Sequence, residues 1–471
     1  MPVGCADRQI SHPTGAQGTS DVTAVDMADA IVDAHRSWRA PGFIGDVQAW
    51  IDDCAIYPAP LLSLGAAVAC VATLCGRRYA LPSGLRSALY VVGVAKSGVG
   101  KDVGRQCTAN LLTAAKCQDR IGTDDIASAA GVVARLRKHP VAWFPLDEFG
   151  RLVEAYTSKN AGSHERMIVT TLMKMWSSTS GTYYGKAYAE RDCQSVEMPH
   201  PVIYGTTTPD ALYRALRGSD VVDGVLSRLL VLEVDHGQMP ERVPTASSAS
   251  PPAELVERAA KIARGRGEGN LASVEQADIR ATPTVLPLSN AAEAASRRIG
   301  AGLRAKLDGA HAELWVRARE QSLRLALAVA VGCDADEVGV EHLAWSWRLV
   351  RWTTQRIVSS VAARVADTEE GRCALALLSA IDAAGGAPMT LAALSRAAWR
   401  WDRRVRTDSL ASLVDSGQVA CECVTVGDRV VKAYRRPDSD PADEVLDATQ
   451  QSTDTAMTTV GHVVDSGASA S

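Results

Sequence analysis

An α/β fold built on a parallel sheet is what this sequence predicts, and three observations predict it. Four short apolar runs, "ALYVVGVA", "VAWFPLDE", "PVIYGTTT" and "RLLVLEVD", alternate with stretches of helical periodicity. The first run opens into a glycine-rich turn, "AKSGVGK", that leads straight into a helical stretch. The second ends on an adjacent pair of carboxylates, Asp147 and Glu148.

The elements follow in order along the 471 residues. Residues 1–25 are polar and Gly-rich, lack the apolar core of a signal peptide, and read as a disordered leader. Residues 26–88 read as a helical segment: "DMADAIVDAHRSW", "IGDVQAWIDDCAI", then the apolar "PLLSLGAAVACVATLCGRR" with Pro60 in its first turn. That longest apolar run, Leu61 to Cys75, is too short and too rich in Ala and Gly to span a bilayer, so a buried helix is expected. Residues 89–236 carry the four strands. Residues 237–285, with "GQMPERVPTASSASPPAE" near their start, read as a Pro/Ser-rich loop and linker. Residues 286–365 return to helix and are expected to form a helical lid; 366–436 form a compact unit; the Asp/Ser/Thr-rich 437–471 read as a disordered tail. No internal repeat is visible.

Bulk composition narrows the function. The net charge of −4 gives no global nucleic-acid footprint, so any DNA contact must come from local basic patches. The eleven cysteines lack paired metal spacing and read as buried thiols of a reducing cytoplasm. Cys421 and Cys423 would share one face of a strand, but no second Cys or His pair lies near them in sequence. A cytoplasmic protein with no membrane contact is expected.

The turn from Ala95 to Lys101 carries the first chemical signal. Gly98 and Gly100 let backbone amides turn inward around phosphate oxygens, through a loop that also uses Lys96, Ser97 and Val99. Lys101 would reach the β- and γ-phosphates of ATP at a helix N-terminus whose partial charge is positive. Two positions depart from the usual phosphate-loop pattern. Ala95 replaces its first Gly. Asp102 replaces the hydroxyl that ligates Mg²⁺; a carboxylate is itself a good Mg²⁺ ligand but repels phosphate when the metal is absent. The alternative is an ordinary Gly-rich turn with Asp102 capping the helix.

Asp147, at the end of its apolar run, would hold Mg²⁺, and Glu148 would orient the attacking water. An acidic turn closing a strand is the alternative, and Pro145 favours it. Thr208, before Pro209, is the candidate to sense the γ-phosphate, with Thr206 and Thr207 equally well read as helix-capping hydroxyls. Arg228, in "DGVLSRLLVLE", is placed to reach a neighbouring subunit's nucleotide as an arginine finger, with a structural ion pair as the alternative. Arg317, in "ELWVRAREQSLRL", is the candidate to close the lid over the nucleotide. These motifs together define a P-loop NTPase core of RecA/AAA-like type.

The order "LRSALYVVGVAKSGVGKDVGRQ", "FPLDEFGRL", "YGTTTPDALYRAL" and "DGVLSRLLVLE" resembles a family of phage- and prophage-borne P-loop ATPases, over roughly residues 40–360. That family is similar to the helicase half of primase–helicase replication proteins. An acidic residue after the loop lysine occurs among its members, which implies that Asp102 is a family variant. The resemblance implies a Mg²⁺- and ATP-dependent motor on single-stranded or forked DNA, acting as a ring homo-oligomer, a hexamer, with a separate primase or initiator as partner. Nothing ahead of the loop reads as a primase, so priming is not carried over. An ATP-gated DNA-binding switch or replication initiator without strand separation fits the same residues, and a degenerate scaffold is the remaining alternative.

Two segments are DNA candidates. "STSGTYYGKAYAERDCQSVEMPH" reads as a β-hairpin with Lys186 and Arg191 for phosphates and Tyr183 or Tyr184 for stacking; a solvated surface hairpin is the alternative. In 366–436, three helices precede two strands around a Gly427–Asp428 turn, which is winged-helix order. Arg403, Arg404 and Arg406 cluster at the start of its third helix, which Asp402 would cap, while Lys432, Arg435 and Arg436 lie on the last strand. Protein binding is the alternative use of such a unit.

Overall fold

The structure is a computed structural model and describes residues 38–157, 163–185, 194–215, 224–234, 241–266, 282–307, 312–365, 369–384, 387–415, 418–426 and 429–435. The expected leader and tail, Lys186, Arg191, the Gly427–Asp428 turn and Arg436 lie outside the described residues.

The four apolar runs form one parallel sheet. Strands β1 (Tyr90–Val94), β2 (Val141–Phe144), β3 (His200–Thr207) and β4 (Leu229–Glu233) are ordered β2–β3–β1–β4. Register sets Tyr90 beside Ile203 on one side and Leu229 on the other, and Val141 beside His200. Strands buried on both faces need no polar alternation, which is why each reads as a continuous apolar run. The chain passes from β1 out to β2 at the edge, returns through β3, then crosses β1 to reach β4. The direction of travel therefore reverses at β2, and the neighbours β1 and β3 send their connections to opposite sides; the carboxyl ends of such a pair are where open α/β sheets form their crevice.

Helices cover the sheet. Helices α1 (Gly42–Asp53) and α2 (Pro60–Cys75) precede it, and every residue of α2 from Leu61 onward is buried. Pro60 stands in the first turn of α2, as expected, and small residues on this helix let its neighbours approach. A Cβ on Gly93 would stand 2.7 Å from Leu62 Cδ2, and one on Gly104 would stand 2.8 Å from Ala66 Cβ. Then come α3 (Lys101–Ala114), α4 (Ala129–Lys138), α5 (Phe149–Thr157), α6 (Ser163–Ser177) and α7 (Pro209–Ala215). None of the described helices is long and apolar enough to cross a membrane.

Three expectations need correction. The stretch 237–285 is not only loop: it contains α8 (Ala253–Arg264), which buries Leu255, Ala259 and Ile262 against the core. Those residues recur at helical spacing, and Pro251–Pro252, which made the segment look like a turn, only precede the first helical residue. Helices α9 (Asn290–Leu307), α10 (Ala318–Gly332) and α11 (Val340–Val365) are not a separate lid. Leu303, Leu325, Leu327, Leu343 and Val350 belong to the same apolar cluster as the sheet. The cysteines are not all buried: Cys421 and Cys423 are exposed on alternate positions of one strand, whereas Cys70, Cys75, Cys107, Cys117 and Cys373 are buried.

The C-terminal unit has its own core, with Cys373, Leu377, Ile381, Leu394, Leu410 and Leu413 at its centre. It comprises α12 (Glu369–Ala383), a short strand β5 (Met389–Thr390), α13 (Leu391–Ala397), α14 (Arg403–Asp415), β6 (Ala420–Val426) and β7 (Arg429–Arg435). The strands pair antiparallel in the order β6–β7–β5. Asp402 caps α14, its Oδ1 accepting from the Arg404 amide at 2.8 Å.

Candidate functional site

The glycine-rich turn joins β1 to α3 in a conformation that requires its glycines. Gly98 has φ +87° and Gly100 φ +69°, the latter as the residue immediately before α3. A Cβ on Gly98 would meet nothing within 4 Å, so backbone conformation and not space selects glycine there. Ala95 is buried, and its amide donates to Thr207 O at 3.1 Å, tying the turn to β3. Lys96, Ser97 and Gly98 are exposed beyond it. Lys101 is the first helical residue, and burial lowers its pKa although Asp147, Asp102 and Glu148 pull the other way. Asp102 lies inside the first turn of α3, one residue past Lys101, so it does not cap the helix.

Asp147 is placed by an extension of the β2–β3 ladder. The Thr206 amide donates to Leu146 O at 2.9 Å, so pairing resumes immediately after Pro145. This sets the Asp147 carboxylate against Thr206, whose hydroxyl donates to Asp147 Oδ1 at 2.9 Å; the Glu148 amide donates to the same oxygen at 2.9 Å. Helix α5 then starts close against β3: a Cβ on Gly150 would stand 2.5 Å from Thr207 Oγ1, and one on Gly205 2.8 Å from Phe149 Cγ. Between strand and helix, Glu148 adopts φ +50°, a left-handed backbone that residues other than Gly, Asn and Asp rarely take. Its carboxylate pairs with Arg151 at 2.6 Å.

Arg105 is the residue that sequence reasoning missed. One turn along α3, it pairs with Asp102 and also donates from Nη2 to Asp147 Oδ2 at 3.1 Å. One guanidinium thus joins the carboxylates of α3 and of the β2 end. Burial alone would raise the Asp147 pKa, but Thr206, the Glu148 amide and Arg105 outweigh it and hold this carboxyl below its ordinary range. Burial likewise opposes charge on Arg105, and its bonds to Asp102 and Asp147 raise its pKa in spite of that.

Beside these groups opens a cleft of about 730 Å³ at the carboxyl ends of the strands, whose lining includes Asp102 and Asp147 but not Arg105 or Thr206. Ser97, Gly98, Lys101, Asp102, Asp147 and Glu148 form its floor, while Ile56, Tyr57 and Pro244 form a wall that no local motif announces. Thr208 also borders the cleft, but its Oγ1 accepts from the Ala211 amide at 3.4 Å and so caps α7. Thr206 thus touches the carboxylate, and Thr208, at the edge of the cleft, caps α7. Thr206 lies within β3, where its amide pairs with Leu146, whereas Thr208 follows the last residue of β3 and directly precedes α7.

The other predicted residues lie elsewhere. Arg228 and Arg317 line a second cleft of about 780 Å³, with Lys174, Ser177 and Tyr184, and neither borders the first. Arg228 donates to Gly224 O and to Ser177 Oγ, and its guanidinium lies 5.3 Å from the Trp176 ring centroid. Arg317 pairs with Glu320 at 2.9 Å just before α10, away from the glycine-rich turn. Tyr183 is buried and unavailable for stacking, whereas Tyr184 is 76% exposed. In the C-terminal unit Arg403, Arg404 and Lys432 are exposed, and Arg406 is half-buried, donating to Ser395 O at 3.4 Å. Trp399, 70% exposed beside Arg400, adds an aromatic to that basic surface.

The donor set of the first cleft is all oxygen on the acidic side and ammonium plus backbone on the other, which suits an oxyanion carrying a hard cation. A scan against protein-family models finds no match for this chain, and a search of curated proteins finds no relative.

Proposed function

We propose that this protein is an ATP-hydrolysing DNA motor of replicative-helicase type. One observation carries the reading. The Gly98–Gly100 turn, Lys101, the Thr206-anchored Asp147 and Glu148 converge on one cleft where neighbouring strands of a parallel sheet send their connections to opposite sides. On this reading the core is a P-loop NTPase, and Lys101 and the loop amides bind the β- and γ-phosphates of ATP. Among the described residues no three His, Cys, Asp or Glu side chains gather to hold a metal by themselves. Two carboxylates, Asp102 and Asp147, nonetheless border the cleft, and Mg²⁺ is commonly held by one or two carboxylates together with substrate phosphates. The residues thus fit Mg²⁺ delivered with ATP. Held by Asp102 and Asp147, it would supply positive charge against the charge developing on the phosphate. Thr206 positions Asp147 for that ion, and Glu148 orients the attacking water.

Arg228 lies in a cleft of its own, which supports a role on a neighbouring subunit's nucleotide and hence a ring. The C-terminal unit, three helices with an antiparallel ribbon, is read as a winged helix that presents Arg403, Arg404 and Lys432 to DNA. The test is Mg²⁺-dependent ATP hydrolysis with and without single-stranded DNA, for the intact protein and for Glu148→Gln. DNA-stimulated turnover that Glu148→Gln abolishes is expected. ATP binding without turnover would replace the motor by an ATP-gated switch, and no ATP binding would overturn the nucleotide reading.

A further inference from the structure

We infer that Arg105 is the resident counter-cation of the metal site, and that a divalent ion must displace it to bind. The inference rests on the proposed Mg²⁺ site at Asp102 and Asp147, and concerns how this chain keeps that site ready. The two carboxylates come from different elements, α3 and the end of β2, and one guanidinium touches both. Arg105 is only 18% exposed, although the carboxylates it joins are both more than half exposed. The arginine therefore occupies the inner side of the pair, with the carboxylates open towards the cleft.

Asp102 and Arg105 form one device. A hydroxyl at position 102 could not hold an arginine as an ion pair, whereas a carboxylate three residues before it on a helix can. Left alone, the Asp102 carboxylate would repel phosphate at the mouth of the loop. Arg105 cancels that charge while no metal is present. Asp147 Oδ1 already accepts from Thr206 and Glu148, and Oδ2 accepts from Arg105. A divalent ion placed against the same oxygens meets a like charge, so the guanidinium has to move away as the ion arrives. Both contacts are made by Nη2, at the far end of the guanidinium, and the shorter lysine side chain would bring its ammonium less far towards the two carboxylates.

Two opposite effects of removing Arg105 distinguish this role from a structural one. Mn²⁺ binding to the nucleotide-free protein, read from the electron paramagnetic resonance of free Mn²⁺, is expected to tighten about tenfold in Arg105→Gln, the lower end of what outer partners of metal sites contribute. Binding of ATP in EDTA is expected to weaken in the same variant, because Asp102 is then uncompensated. Adding Asp102→Asn should reverse both changes. Arg105→Lys should lie between, with Mn²⁺ binding still tighter than in the intact protein. Unchanged or weaker Mn²⁺ binding in Arg105→Gln would overturn the inference. If that variant fails to fold, unchanged Mn²⁺ binding in Arg105→Lys would overturn it equally. Failure of the intact protein to bind ATP would remove the proposed function while leaving the Mn²⁺ result standing. ATP binding with no change in Mn²⁺ affinity would remove only the role of Arg105.

Discussion

Replacing Thr206 by Val removes one hydroxyl and keeps the shape, and it tests the centre of the site. Thr206 is fully buried on β3, and its hydroxyl donates to Asp147 Oδ1 at 2.9 Å. A hydrogen bond to a charged group is generally worth about 1.5–3 kcal/mol. Asp147 remains 53% exposed, so water can re-solvate the oxygen that loses its donor. That exposure brings the expected loss of stability to about 1 kcal/mol. The catalytic loss should be larger, because the hydroxyl fixes which way the carboxylate faces. Loss of such an outer partner costs about 10–100-fold in activity or metal affinity.

The sign of the pH effect follows from the same bond. The Asp147 carboxyl lies below its ordinary range in the folded protein. It therefore contributes stability that is present above its unfolded pKa and lost as pH falls through the folded value. Thr206→Val moves the carboxyl up, so the acid limb of the rate profile should shift to higher pH. The stability difference between the two proteins should vanish in acid, once Asp147 is protonated in both. Steady-state ATP hydrolysis across pH and thermal unfolding measure these effects. Thr208→Val is the control: it loses only the cap on α7 at 3.4 Å, and turnover should stay within a few-fold. Thr208→Val silencing turnover while Thr206→Val left it intact would refute the assignment.

Three further outcomes are expected. His200 is fully buried, and burial lowers its pKa from 6.5 to about 3, so the folded protein resists a proton that the unfolded chain accepts. Stability should fall as pH drops from 6.5 towards 3, and His200→Gln should flatten that fall; parallel decline of the two urea midpoints between pH 7 and 5 would contradict it. Gly104→Val forces a side chain against Ala66, where even a Cβ would approach to 2.8 Å, and should cost about 2 kcal/mol in chemical denaturation. An unchanged midpoint would show that α3 can move off α2 freely. Arg403→Ala with Arg404→Ala should weaken single-stranded DNA binding and reduce the log–log salt slope by about 1.4. An unchanged slope would take α14 out of the DNA interface.

The legible parts of the molecule were those whose signal is local. Each of the four strands is buried on both faces, and the apolar run records that directly. The bend at Gly98 and Gly100 and the position of Asp147 at the end of β2 were equally local. Helix α8 was hidden because Pro251–Pro252 and the preceding serines dominate its neighbourhood, although Leu255, Ala259 and Ile262 carry the helical period. Thr206 could not be separated from Thr208 without knowing that β3 runs between β1 and β2. The place of Arg317 was not legible for a related reason, since the cleft it faces depends on how α10 packs against α2 and α11.

Arg105 is the sharpest case, because half of its environment was visible in the sequence. Its spacing from Asp102 is that of a helical ion pair, but the bridge to Asp147 spans 42 residues and exists only once β2 lies near α3. With that bridge in place, the departure at position 102 acquires a consequence for the proposed chemistry. Lys101, Arg105 and Arg151 stand against Asp102, Asp147, Glu148 and Glu154, so carboxylates already outnumber cations before any ligand arrives. A triphosphate entering alone would leave that balance strongly negative in a cleft where burial already disfavours charge on Lys101. A triphosphate arriving with a divalent ion would restore most of it, with Asp102 and Asp147 there to hold the ion. On the proposed reading, the metal–nucleotide complex is therefore the ligand this site is built to admit, and the aspartate after the loop lysine strengthens that selection.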